Sequence, residues 1–379
     1  MVRFYWRTSI SGVTPKAANG KRIEPSIGRL PLTEHGMAAF RDDKAAGPRS
    51  HALTLGLAIL VAALGVLSLG IGPARLSPWA AAQALLSDQG SASIIVREIR
   101  LPRTGLAILI GWTFGLTGAA LQGLLRNPLA DTAVFGAPQA AALGAVLVLY
   151  FGFVGALSWA LPAAAIVGAL ISIALVVAIA GRRATITILV LAGLATGSLA
   201  GAATSLALSL SPNPFAVTEI VFWLLGSLED RSTTHVMLAT PFLVVATLLL
   251  LWSGTGLRAL TLGEETAESL GVDVARLRIA IVLAAAIGAG ASVAVAGSIG
   301  FIGLVAPHIA RPLTGYDPAR ALVPSGLIGA ALLTAADCAV RLLPTSAEVK
   351  IGVLTALLGV PFFLWIIARR RVELAETPA

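Results

Sequence analysis

Apolar residues in this chain fall in long unbroken runs, not in alternation. The runs lie at about 51–72, 103–125, 133–153, 157–181, 186–210, 233–253, 274–298, 301–313, 319–341 and 348–368. A run of about 20 apolar residues is long enough to cross a hydrocarbon core of roughly 30 Å. Backbone groups in lipid must be satisfied within the segment, so each run predicts a helix. The dyad alternation of a barrel is absent. The eighth run is short and contains Pro307, which predicts a half-span or a broken helix. An amphipathic piece at 217–226 predicts an interfacial helix between the fifth and sixth runs. The expectation is an all-α membrane protein of ten spans, with the membrane domain at 51–370 and a short tail at 371–379.

Composition agrees: 57% of residues are hydrophobic and 12% charged, and the mean hydropathy is +0.88. Residues 1–50 differ. They are polar, hold nine Lys/Arg against four Asp/Glu, and lack the apolar core of a signal peptide. They read as a disordered basic extension, with Met37 as a second candidate start. Ten spans place both termini on one side. With the N terminus in the cytoplasm, 20 Lys/Arg fall inside and 7 outside, so the positive-inside bias sets that orientation.

Three arginines break the trend. Arg97, Arg100 and Arg103 precede the second span on the outer side. They could meet an acidic partner outside the membrane, or pair with Glu98 and lipid phosphates. Within the spans, Asp337 is the clear acid. It stands four residues before Arg341, on the same helix face, and predicts an ion pair near the outer end of the ninth span rather than a proton relay. Acid-poor spans disfavour proton coupling, although an ion-coupled carrier with backbone-carbonyl sites is a second reading. A membrane enzyme acting on lipid-linked substrates is a third. Only His308, beside Pro307, hints at that, and a structural contact near the cytoplasmic face explains it as well.

No G-x-x-x-x-G-K-[ST] occurs, so ATP-driven transport would need its ATPase on another chain. The single cysteine, Cys338, excludes an intrachain disulfide, and the four histidines show no metal-ligand spacing. Gly193, Gly197 and Gly201 form consecutive G-x-x-x-G steps; Gly111 and Gly115, and Gly297, Gly300 and Gly303, mark other close approaches. These favour tight helix packing, with a smooth pathway lining as the alternative. Residues 260–272, L-T-L-G-E-E-T-A-E-S-L-G-V, predict a short cytoplasmic helix stopped at Gly271. It is either a plain connector or a knob for a partner's cleft.

Several stretches carry a resemblance: I-R-L-P-R-T at 99–104, G-A-A-L-Q-G-L-L-R-N-P-L-A-D at 118–131, L-G-E-E-T-A-E-S-L-G-V at 262–272, G-S-I-G-F-I-G-L-V-A-P-H-I-A-R at 297–311, A-D-C-A-V-R-L at 336–342 and I-G-V-L-T-A-L-L-G-V-P-F-F-L-W at 351–365. In that order the chain resembles the FecCD-type permease subunit of ATP-driven importers for iron chelates, haem and vitamin B12. The resemblance implies the type II importer fold, a homodimer with the pathway at its interface, two ATPase subunits on the cytoplasmic face and a substrate-binding protein outside. It implies that this chain is not itself an enzyme and binds no cofactor or metal, with ATP and Mg on the partner ATPase. It also implies the bacterial inner membrane. Arg100, Arg103 and Arg341 would meet acids of the binding protein; Arg97 is outside the motif. Gly263, Glu264, Glu265, Ala267, Leu270 and Gly271 would form the ATPase-coupling helix. Thr185, Ile186 and Thr187, with Asn127, Pro128 and Leu129, would form the inner gate. The span carrying Gly193, Gly197 and Gly201 and the last span would line the pathway. The family's usual Glu-Leu-Pro-Ile-Gly reads E-V-K-I-G at 348–352. Lys350 would thus add an outer charge that widens the docking patch or favours anionic chelates.

Overall fold

The computed structural model describes residues 48–72, 74, 76–86, 90–152, 159–181, 185–211, 213–344 and 348–375. Most of the 1–50 extension, including Met37, lies outside them. Helices form at every expected run. They are α1 (Pro48–Gly70), α2 (Pro78–Leu86), α3 (Ser91–Leu124), α4 (Ala137–Tyr150), α5 (Ala160–Ala180), α6 (Ile186–Ser209), α7 (Pro214–Leu224), α8 (Thr233–Trp252), α9 (Gly254–Leu260), α10 (Glu264–Ser269), α11 (Val274–Ala296), α12 (Ile302–Leu313), α13 (Pro318–Leu342) and α14 (Ile351–Ala375). Among the described residues seven of these helices are long and apolar enough to span a membrane, and α4 and part of α14 are shorter apolar helices.

The structure differs from the sequence pattern at the third run and at the end of the last helix. The third run is not continuous: a 3-10 turn, Thr132–Phe135, precedes α4, and Gly136 between them is left-handed at φ 68°. The eighth run forms the half-span that its length and Pro307 predict, a 12-residue helix with Pro307 and Pro312 inside it. At about 1.5 Å per residue it reaches little more than half-way across a bilayer core. The last helix continues to Ala375, beyond Arg371 where a tail was expected.

Short polar side chains set where helices start. Asp317 caps α13, accepting from the amides of Ala319 and Arg320 at 2.8 and 3.2 Å, with Pro318 in the first turn. Asp273 caps α11 through the Arg276 amide at 2.9 Å.

α3, α11 and α13 form the centre. Of their apolar windows 78%, 78% and 72% are buried, against 22–33% for α1, α5, α6 and α8. Lipid is as apolar as leucine, so central position is won by close packing of small residues. Gly111 on α3 and Gly329 on α13 lie face to face: a Cβ on Gly329 would stand 2.2 Å from the Gly111 carbonyl oxygen. The glycines at 193 and 197 likewise pack, against Val134–Gly136 at the start of α4. Gly201 and Gly300 face open space instead, with no atom within 4 Å of where a Cβ would stand.

Candidate functional site

One end of the bundle gathers the arginines. Asp337, fully buried on α13, sits between Arg103 of α3 at 2.7 Å and Arg341, one turn on, at 2.8 Å. The expected Asp337–Arg341 pair is therefore present, with a second arginine added. Arg103 is held along both edges. Its Nε donates to Asp337 Oδ1 at 2.8 Å, while Nη1 and Nη2 donate to the two carboxylate oxygens of Glu348, one at 3.0 Å. Arg341 donates to the carbonyls of Ser68 and Ile71 at 2.9 and 2.8 Å. Arg100 donates to the carbonyls of Leu69 and Ala74.

In the single chain none of these three guanidinium groups stands free in solvent. Arg100 is 4% exposed and Arg103 7%, and the Arg341 side chain is 4% exposed. Burial drives this arrangement, because a charge removed from water must be paired or hydrogen-bonded. Arg97 donates to the Leu85 carbonyl at 3.1 Å, a contact that ties the start of α3 to the end of α2.

Lys350 is paired as well. It pairs with Glu229 at 2.7 Å and stands 5.9 Å from the centre of the Phe222 ring, so it ties down a loop and adds no free charge. Nearby, Arg231 is pushed below its ordinary pKa by burial, opposed by Asp230 and Glu229.

Glu348 and Lys350 immediately precede α14, and α14 forms one wall of an apolar recess of about 640 Å³. Leu225, Ser298, Gly300, Phe301, Gly352 and Leu357 contribute to its lining. Two glycines seat the helix there. A Cβ on Gly352 would lie 2.3 Å from the Leu225 carbonyl oxygen, and one on Gly359 would meet the Phe301 ring. Phe301 itself is left-handed at φ 68°, a conformation costing on the order of 1–3 kcal/mol in a non-glycine residue. Leu357 and Leu358 remain exposed on α14, as do Leu191, Leu194 and Leu199 on α6.

At the opposite end, α10 forms where the polar segment predicted it. Gly263 starts it at φ 109°. Gly271 ends it at φ 86°: its amide bonds the Glu268 carbonyl at 2.9 Å, and the next amide, of Val272, reaches back to Ala267 at 3.0 Å. That is the Schellman arrangement. Ala267 is fully buried and roots the helix, Leu270 is 46% exposed, Glu265 and Glu268 are exposed, and Glu264 pairs with Arg278. Thr185 caps α6, and Thr187 is exposed in its first turn. Arg182 and Arg183 lie outside the described residues. Asn127 accepts the Leu129 amide at 3.0 Å in a tight turn, with both side chains exposed. The chain following that turn meets Gly193 and Gly197, so the segments at 127–129 and 185–187 belong to one packed unit. There Asp131 caps the 3-10 turn through the Thr132 amide at 2.7 Å. Burial raises its carboxyl above the ordinary range.

Residues 59–369 match the FecCD transport family. The chain belongs to this family. It is 39% identical to the Fe(3+)-citrate import system permease protein of Bacillus subtilis (strain 168) over 82% of this chain and 93% of that protein. It is 35% identical to the cobalamin import system permease protein of Halobacterium salinarum over 93% of each. Among solved structures, an inward-facing conformation of a metal-chelate type ABC transporter superposes with a TM-score of 0.76 at 30% identity, over 84% of this chain and 99% of that one. The chain is thus an all-helical ABC importer permease of the FecCD family.

In this permease the residues differ in how well the sequence marked them. His308 makes the structural contact expected of it, its ring 5.7 Å from that of Phe362 on α14. The residues that sequence reasoning missed are Glu348, Glu229, Phe301, Gly352 and Gly359. The spacing Gly352-x6-Gly359 on an otherwise bulky helix was a usable signal for the last two. Nothing local marked Glu348 as the partner of an arginine 245 residues away. Among the described residues no group of His, Cys, Asp and Glu could hold a metal ion.

Proposed function

We propose that this permease is the pathway subunit of an importer that carries a ferric siderophore or haem into the cytoplasm, with vitamin B12 as the alternative cargo. Family membership over residues 59–369 carries the reading, and relatives named for Fe(3+)-citrate and for cobalamin supply its two branches. Two copies enclose the pathway in the bacterial inner membrane, N termini in the cytoplasm, and the exposed apolar faces of α6 and α14 meet across it. A bulky passenger suits walls that offer few charges to hold it.

A separate ATPase, holding ATP and Mg, works the machine from the cytoplasmic face. α10 is its handle, rooted by Ala267 and presenting Glu265, Glu268 and Leu270. A substrate-binding protein docks at the Arg100–Arg103–Arg341 end and delivers the cargo. The test is uptake by cells lacking this chain, offered labelled ferric siderophores, haem and cobalamin separately, with and without an uncoupler. Loss of one iron chelate, restored by the wild-type chain and insensitive to the uncoupler while ATP is maintained, is expected. Loss of cobalamin alone would select the second branch. Restored uptake that collapses with the uncoupler would overturn the ATP-driven mechanism.

A further inference from the structure

The arginine cluster carries more positive than negative charge. Among the described side chains, three arginines gather here with two carboxylates: Arg103 and Arg341 pair with Asp337 and Glu348, while Arg100 bonds only backbone carbonyls. The two acids are not equivalent. Asp337 is fully buried on a helix and bonds the inner edge of Arg103; Glu348 is 19% exposed and caps the Nη1/Nη2 edge. That edge is the one a guanidinium offers for two-point recognition of a carboxylate. It is occupied here by a group at the rim, in a non-helical segment, with water within reach.

We infer that Glu348 is an intramolecular stand-in for a carboxylate of the docking protein, and that docking proceeds by exchange of one for the other on Arg103. This rests on the docking reading above. Physical chemistry favours exchange over simple addition. Arg103 is already desolvated, and although Asp337 stays on its other edge, losing Glu348 without replacement would leave the Nη1/Nη2 donors unpaired. An incoming carboxylate that takes over the same two N–H groups avoids that loss, while Glu348 swings out to water. The excess positive charge of the cluster attracts a further acid and not a base.

The exchange has a mechanical consequence. Glu348 stands three residues before Ile351, where α14 begins. On its other side the same segment is pinned by Lys350 to Glu229. The start of α14 is therefore held at two points, Arg103 and Glu229, and exchange releases the first only. The helix start is left to pivot about Lys350 beside the mouth of the apolar recess that Gly352 and Leu357 line. Docking and movement of the pathway wall are then one event.

The experiment measures affinity of the importer's own substrate-binding protein for the permease–ATPase complex in nanodiscs, at low and moderate salt. Wild type, Arg103→Gln, Glu348→Gln and Glu348→Asp are compared. Removing the internal competitor should tighten docking roughly fivefold to tenfold in Glu348→Gln, the scale of one partly exposed ion pair. Arg103→Gln should weaken it by tenfold or more. Glu348→Asp, which keeps the charge but shortens the reach, covers the case in which the glutamine variant does not fold, and should fall between wild type and glutamine. A merely structural role for Glu348 predicts the opposite sign or no change, and that result would overturn the exchange while leaving docking intact. Wild type that binds no better than Arg103→Gln removes the docking reading itself, and the exchange with it.

Discussion

Asp337 is the residue on which the buried charges at one end depend. It is fully buried and meets two arginines at 2.7 and 2.8 Å. Replacing it with asparagine leaves Arg341 buried without its carboxylate and Arg103 with Glu348 alone. The expected loss is about 3–5 kcal/mol of stability, the range for breaking one side of a buried ion pair. Glu348→Gln, at the rim, should cost about 1 kcal/mol or less. Thermal unfolding of the two variants in the same detergent checks the contrast; equal losses would mean that burial does not rank these carboxylates. The sequence disclosed half of this cluster. The i,i+4 spacing of Asp337 and Arg341 made their pairing legible. Arg103 could not be placed, because its two partners are more than 230 residues away in the chain and an arginine at a helix start reads equally well as exposed.

At the level of elements, small residues decide which helices are central. The glycine and alanine content of α3, α11 and α13 was visible beforehand, and the G-x-x-x-G steps at 193 and 197 pack as expected. Gly201 does not, since it faces open space, and spacing alone cannot tell which rung of a ladder meets a neighbour. The left-handed Gly136 that splits the third run was equally hidden, because the run around it is uniformly apolar. Gly329→Val should separate α3 from α13, because its branched side chain would start 2.2 Å from the Gly111 carbonyl oxygen. Loss of the folded peak in gel filtration, with Gly201→Ala retained as the unaffected comparison, is the expected result. For α10 the prediction concerns the partner: Leu270→Asp should leave the permease folded and abolish co-purification with its ATPase. A complex that survives this change with full coupling would show that the helix is only a connector.

Across the whole molecule, hydropathy exposed where the apolar helices lie, and the family motifs exposed the kind of machine. What lay beyond both was the way the two ends connect to α6 and α14, the proposed pathway wall. α14 is anchored by charges before its first turn and by two glycines along its length. α6 is capped by Thr185 and seated by Gly193 and Gly197. Each of these two helices therefore begins beside a segment proposed to meet an outside protein or to gate the pathway. ATP is the proposed energy source for moving an iron chelate through a pair of these chains. The direct test is transport by proteoliposomes holding only the permease, its ATPase and the binding protein, with no ion gradient across the membrane. Accumulation of labelled ferric chelate on the α10 side that requires ATP and stops with an ATPase-inactive partner is predicted. Accumulation without ATP when a proton or sodium gradient is imposed would contradict it.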